Sequence, residues 1–252
     1  MSTKDSKLSL MSLYEVGAHR GNKKSRLNPR LKDKVYGVEN GLSIIDLVET
    51  TKSIEKITDF LATLGKKRRQ ILVVGTAKHL TEVTQKTAER FKNGPMPYVN
   101  YRWLGGTLTN WSTVKKTLER LNKLRSIEAD ESFLQKLSKN EQLGIKREKV
   151  KLERFFAGLT SLKNNRPGAV LILDAPNNPI AIQEAEKMNI PVIAMTNTGT
   201  VSLPENIGYT VVANINSLKT MNLLLDQFIG AYNSGAEQLV REQEEQKKKV
   251  QK

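Results

Sequence analysis

Three short runs constrain this chain more than anything else in it: Ile71-Leu72-Val73-Val74-Gly75, Ala169-Val170-Leu171-Ile172-Leu173-Asp174 and Ile190-Pro191-Val192-Ile193-Ala194-Met195. Each is apolar at successive positions, too short for a helix, and lacks the in-out alternation of a strand with one wet face. Such runs fit strands buried on both faces, the habit of parallel sheets covered by helices on either side. The segments between them supply the helices. Glu49 to Leu64 carries Ile54, Ile57, Phe60, Leu61 and Leu64 on one face and ends at Gly65, which reads as a C-cap. Leu80 to Phe91, Ile180 to Met188 and Ser217 to Tyr232 follow later strands, and Thr210-Val211-Val212-Ala213 adds a further strand. Val35-Tyr36-Gly37-Val38 and Ser43-Ile44-Ile45-Asp46-Leu47 are shorter strand candidates. Strand-helix-strand order with right-handed crossovers predicts an α/β fold: a mainly parallel sheet with helices on both faces.

The middle of the chain breaks this rhythm. Trp111, Val114, Leu118, Leu121, Leu124 and Ile127 recur at three- and four-residue steps, with Lys115, Lys116, Arg120, Lys123 and Arg125 on other faces. A second helix over Lys146 to Leu159 is expected to turn Val150, Leu152, Phe155 and Leu159 inward and Lys146, Arg147, Lys149, Lys151 and Arg154 outward. A polar connector from Ala129 to Gly144, with a turn of helix at Phe133-Leu134, would join them into an inserted helical hairpin with a narrow, coiled-coil-like apolar stripe. The expected organisation is an N-terminal helix and basic arm (1–34), a discontinuous sheet domain (35–105 and 160–235), the hairpin (106–159) and a charged C-terminal tail (236–252).

Sheet and hairpin meet in Tyr98-Val99-Asn100-Tyr101-Arg102-Trp103-Leu104-Gly105-Gly106-Thr107-Leu108-Thr109-Asn110. Nothing here acts as a nucleophile or general base at neutral pH, so its special residues point to binding or packing. Trp103 reads as a plug at the junction, Gly105 and Gly106 as the break that allows a change of direction, and Asn110 as the N-cap of the following helix. Arg102 reads as a candidate clamp for RNA phosphate, since guanidinium pairs with phosphate oxygens through two parallel hydrogen bonds.

With 41 Lys+Arg against 26 Asp+Glu, the formal net charge of +15 favours polyanionic partners, nucleic acid first. The densest positive run is Ala18 to Lys34, where Arg20, Lys23, Lys24, Arg26 and Arg30 face only one acid, Asp33. Unless a polyanion neutralises them these charges repel one another, so the run reads as an extended RNA-binding arm, with Lys115 and Lys116 as further candidates. The absence of cysteine excludes disulfides and thiolate chemistry. No apolar stretch approaches the length of a membrane span, and Met1 to Lys7 carries no secretory leader, so the expected address is cytoplasmic.

No cofactor, metal or small-molecule substrate is expected. Val74-Gly75-Thr76-Ala77-Lys78 follows a strand but lacks both the G-x-G-x-x-G fingerprint and the phosphate-loop spacing. Asp174, at a strand end where α/β enzymes place carboxylates, has no second acid or histidine nearby and reads as an acceptor for turn amides. His79 sits at a helix start and His19 in the basic arm. Two alternatives remain open on the residues alone: a nucleotide-binding enzyme on a doubly wound fold, and a protein-protein scaffold using the hairpin.

The nonapeptide Arg102-Trp103-Leu104-Gly105-Gly106-Thr107-Leu108-Thr109-Asn110, with Val73-Val74-Gly75-Thr76, Ile44-Ile45-Asp46-Leu47, Ile190-Pro191-Val192 and Asn28-Pro29 in the basic arm, closely resembles the bacterial-type ribosomal protein S2 family. The likeness runs from about Leu13 to Tyr232. It implies a flavodoxin-like α/β domain with an inserted coiled-coil hairpin. It also implies a structural, non-catalytic constituent of the small ribosomal subunit that binds ribosomal RNA on the solvent side near the head-body junction and joins late in assembly. Neighbouring small-subunit proteins are the implied partners, with ribosomal protein S1 docking there in many bacteria; the setting is a cytoplasmic ribosome or that of an organelle of bacterial descent. Three places depart from the family pattern. A Gly-His-Phe-Gly-His-like segment is here Gly17-Ala18-His19-Arg20-Gly21-Asn22, so one histidine of the pair is missing and metal binding is not expected. A charged loop is here Asp174-Ala175-Pro176-Asn177-Asn178-Pro179, and an acidic position after the third strand is Asn197.

Overall fold

Strands divide between two sheets in the computed structural model, which describes residues 9–134, 137–199 and 208–250. The residues read as lacking a leader, 1–7, lie outside the described part. After α1 (Leu10–Glu15), strands β1 (Arg20–Lys23), β2 (Val35–Glu39) and β3 (Leu42–Ile45) form a small antiparallel sheet in the order β1-β3-β2. Asn40 and Gly41 join β2 to β3 with φ of 48° and 77°, the left-handed pair that a two-residue type I′ hairpin requires. This corrects the reading of residues 18–34 as an extended arm. Arg20–Lys23 pairs with β3, and 3₁₀ turns at Lys24–Arg26 and Pro29–Lys34 carry the chain into β2. Asn28 accepts from the Arg30 amide and starts the second turn, with Pro29 at its first position.

The main sheet is built from β4 (Ile71–Val74), β5 (Tyr98–Val99), β6 (Ala169–Ile172), β7 (Val192–Thr196) and β8 (Tyr209–Val212), in the order β5-β4-β6-β7-β8. Every pairing is parallel. Numbered within this sheet alone, the order is 2-1-3-4-5, the flavodoxin-like winding. β4, β6 and β7 are buried throughout, as unalternating apolar runs require. Alternate residues feed two cores. Ile71, Val73, Leu171 and Ile193 pack with α1, α2 (Leu47–Lys66), α3 (Thr81–Glu89) and α8 (Leu218–Val250); Leu72, Val74, Val170, Ile172 and Ala194 pack with Trp103, Leu108 and α7 (Pro179–Lys187).

Helices α2 and α8 cross at contact distance. A Cβ on Gly65 would lie 2.1 Å from the Tyr232 carbonyl oxygen, and one on Gly235 would lie 2.0 Å from that of Ala62. Gly65 is therefore a close-approach residue inside α2 and not its C-cap. The left-handed residue ending α2 is Arg68, at φ 48°, with Arg68 N–H donating to Gly65 O and Arg69 N–H to Leu64 O. Helix α8 also continues well past Tyr232, through the segment read as a charged tail, to Val250. Glu, Gln, Lys and Arg there are all strong helix formers.

The β5-to-β6 connection contains α4 (Trp111–Ala129), α5 (Glu131–Leu134) and α6 (Lys139–Phe156). Val114, Leu118, Leu121 and Leu124 of α4 are buried. Helix α6 starts earlier than the expected Lys146, because Ser138 and Glu141 form a reciprocal capping box. Its phase also differs from expectation: Val150 is 58% exposed, whereas Lys149 is half-buried and pairs with Glu128. Arg120 binds both oxygens of Glu148 at 2.9 and 2.8 Å, and Arg125 reaches Glu153 at 3.1 Å. These ionic cross-links join the two helices from partly exposed positions beside the apolar seam.

Candidate nucleic-acid interface

One carboxylate organises the junction between β5 and α4. Glu184, on α7, is 6% exposed and lies under the loop of residues 103–109. Its Oε1 accepts from the Trp103 indole N–H at 3.1 Å and the Gly106 amide at 2.7 Å. Its Oε2 accepts from the Leu108 amide at 3.0 Å and from the Thr109 amide and hydroxyl at 3.3 Å each. Burial by itself pushes the Glu184 carboxyl up, but the hydrogen bonds from Leu108, Trp103, Gly106 and Thr109 outweigh it and hold the group below its ordinary value. Sequence reasoning missed this residue. The available signal was an acid within the apolar stripe Ala181, Ile182 and Ala185 of α7.

Around that anchor, Trp103 is 7% exposed and packs in the core. Gly106 has φ 88°, a region side chains rarely adopt, while Gly105 has open space around it. Asn110 occupies the N-cap position of α4 but does not cap a main-chain amide; its Oδ1 accepts from the Ser112 and Thr113 hydroxyls instead. Arg102 is exposed. Beside it, the Arg154 guanidinium sits 4.0 Å from the centroid of the Tyr101 ring, which also meets the Phe155 ring in an edge-on contact.

The carboxyl ends of the strands are where this winding would bind a nucleotide, at the switch point between β4 and β6. Here that place holds a closed polar network. Asp174, 2% exposed, accepts from the Thr76 amide at 3.2 Å, the Ala77 amide at 2.8 Å and the side chains of Thr76, Asn177 and Asn178. Its carboxyl is raised by burial, which these hydrogen bonds oppose. The amides following the first strand, which in a nucleotide-binding protein would face phosphate, are thus committed to an internal carboxylate. Further along the same edge, the Asn28 amide donates to Thr198 O at 2.9 Å and the Asn22 amide to Thr198 Oγ1 at 2.7 Å, docking the basic segment over the end of β7. His19 stacks on Tyr14 at 4.4 Å, and burial, then Arg20, lowers its pKa. Among the described residues no cluster of three His, Cys, Asp or Glu could hold a metal.

The predicted cations fall in three places. Arg20, Lys23, Lys24, Arg26 and Arg30 are exposed on β1 and the turns after it, and the first four have no acidic partner among the described residues. Lys34, by contrast, pairs with Glu49 at 2.8 Å. Arg102 follows β5, at the opposite end of the strand order from β7 and β8, where the basic segment docks. Lys115 and Lys116 are exposed on the first turns of α4. The five residues near the chain start share one strand and the two turns after it, whereas the other three lie on different elements.

A flavodoxin-like α/β protein with its nucleotide crevice internally satisfied and with exposed cations on its small sheet and the turns after it is the class that fold and surface define. The family model for ribosomal protein S2 matches residues 13–235. Small ribosomal subunit protein uS2 of Thermobifida fusca (strain YX) is 39% identical over 217 residues, 86% of this chain and 72% of that protein. Its counterpart in Sorangium cellulosum (strain So ce56) is 34% identical over 233 residues, 92% of this chain and 81% of that protein. The chain belongs to the ribosomal protein S2 family.

Proposed function

We propose that this protein is a structural, non-catalytic component of the small ribosomal subunit. On this reading it binds ribosomal RNA through Lys and Arg contacts to phosphate, alongside neighbouring small-subunit proteins on cytoplasmic ribosomes. The family match across residues 13–235 carries the reading. The geometry supports it: Arg20 and Lys23 on β1, and Lys24 and Arg26 on the turn that follows, are carried by a small sheet whose backbone is itself docked on Thr198, so the cations are presented with little ordering left to do on binding. Arg30, Arg102, Lys115 and Lys116 extend the cationic surface. Phosphate contacts of this kind position a protein on RNA without reading sequence.

The test is co-sedimentation with small subunits, together with binding to small-subunit ribosomal RNA across a salt series. Replacing Arg20, Lys23, Lys24, Arg26 and Arg30 with Gln should flatten the dependence of log affinity on log salt by about 0.7–0.9 for each phosphate that is no longer neutralised. An unchanged slope with intact subunit association would remove these residues from the interface. Failure of the unmodified chain to sediment with small subunits would remove the function.

A further inference from the structure

The basic segment and Arg102 both lie at the carboxyl edge of the sheet, yet a strongly cationic surface also stands at the opposite edge. Between the end of α2, the residues leading into β5 and β6, and the outer part of α8 runs an open cleft of about 1080 Å³. Its charged lining is Arg68, Lys92, Lys163 and Arg241 against the single acid Glu237. Glu237 is engaged by Lys92 and lies 4.0 Å from Arg241. Arg68 and Lys163, with Lys67 and Arg166 flanking them, are exposed and have no acidic partner among the described residues.

Arg68 is the informative member. It holds φ 48° at the position closing α2, where glycine is the unstrained residue. A side chain kept in a sparsely populated backbone region points to a requirement other than stability. The polar floor of the cleft is already satisfied: the Tyr232 hydroxyl donates to Arg69 O at 2.9 Å and accepts from Asn93 Nδ2 at 3.1 Å. Nothing there calls for a buried ligand. Val240 is the one large apolar lining residue that is exposed, at 40%, so the cleft lacks the aromatic anchor a protein partner would use. Cations on four separate segments around an open trough without an exposed aromatic match a phosphodiester backbone.

We propose that the amino edge of the sheet is a second RNA-contacting surface, with Lys67, Arg68, Lys163 and Arg166 gripping a strand that runs through this cleft. The proposal rests on the reading of this chain as an RNA-binding subunit protein, and its test separates the two. Because the sequence has no cysteine, Asn164→Cys and Ser25→Cys each give one attachment point for a tethered iron-EDTA probe on the full chain. Assembled with small-subunit ribosomal RNA, both probes should cut the RNA, at different places. Cutting from residue 25 alone overturns the second surface and leaves the first; cutting from neither overturns both.

Substitution supplies an independent measure. Lys67, Lys163 and Arg166 changed together to Gln should flatten the salt slope by about 2 units, since three phosphates would go unneutralised. The same charge removed at exposed Lys56, Lys187 and Lys219 should change it far less; equal effects would mean a diffuse field only and overturn the proposal. Arg68→Gly should lower RNA affinity severalfold while leaving thermal stability equal or higher, the opposite of what loss of a structural residue does. Weakened incorporation into subunits with unchanged affinity for naked RNA would assign the cleft to a protein neighbour instead and overturn the proposal.

Discussion

Changing Glu184 to Gln is the substitution that most directly probes how the sheet holds the start of α4. The two carboxylate oxygens serve separate donors: Oε1 takes the Trp103 indole and Gly106 amide, and Oε2 takes the Leu108 amide and both groups of Thr109. A glutamine side chain can satisfy one set but presents its own N–H₂ to the other. At least two donors then lose their acceptor, and a buried donor left unpaired costs about 1–3 kcal/mol. The expected loss is about 2–4 kcal/mol at pH 7, read as a lower urea midpoint at unchanged slope. The pH dependence provides a second check. The folded-state pKa of Glu184 lies below its ordinary value of 4.5, so its contribution is present above that value and is lost as pH falls through the folded one. The stability gap between the native protein and E184Q should therefore narrow in acid. A loss under about 1 kcal/mol, or a gap constant from pH 7 to pH 3, would show that the loop is held by packing of Trp103 and Leu108 and not by the carboxylate.

The α2-α8 crossing makes an opposed pair of predictions within one helix. Gly235→Ala puts a Cβ 2.0 Å from the Ala62 carbonyl oxygen and should lower stability by about 2 kcal/mol despite its better helix propensity, whereas Gly230→Ala, in open space, should raise it by about 0.5–1 kcal/mol. Thermal unfolding of both variants distinguishes this from a propensity effect, which would give them the same sign. In the β2-β3 turn, Gly41→Ala forces φ 77° on a side-chain-bearing residue and should cost about 1 kcal/mol. Since the Lys24 amide donates to Gly41 O, the same change should speed hydrogen exchange at Lys24, and an unchanged rate would refute that coupling.

Much of the architecture is readable from local pattern. Unbroken apolar runs at residues 71–74 and 169–173 announce strands buried on both faces, because every side chain must be dry whichever way it points. Some signals in the sequence are easily passed over: Asn40-Gly41 as a hairpin turn, and Ser138 with Glu141 as a helix start. The basic segment reads as an arm for a physical reason. A strand in a small sheet with one wet face needs few apolar residues, so Arg20 to Lys23 carries no hydrophobic signature even though it is paired with β3. The phase of α6 is hidden similarly, since Lys149 can cover apolar surface with its stem while its ammonium reaches Glu128.

What the chain determines by itself is the kind of element each segment forms and the sign of its surface, because burial period, capping chemistry and charge are properties of neighbours in sequence. The tertiary structure alone decided where those elements are fastened. Glu184 meets the Leu108 amide across 76 positions, and Asp174 meets that of Thr76 across 98. Both depend on the order in which parallel strands are laid beside one another, and no local periodicity encodes that order. The same long-range placement turned a basic run into a docked sheet edge and gathered distant cations into a cleft at the other end of the strands.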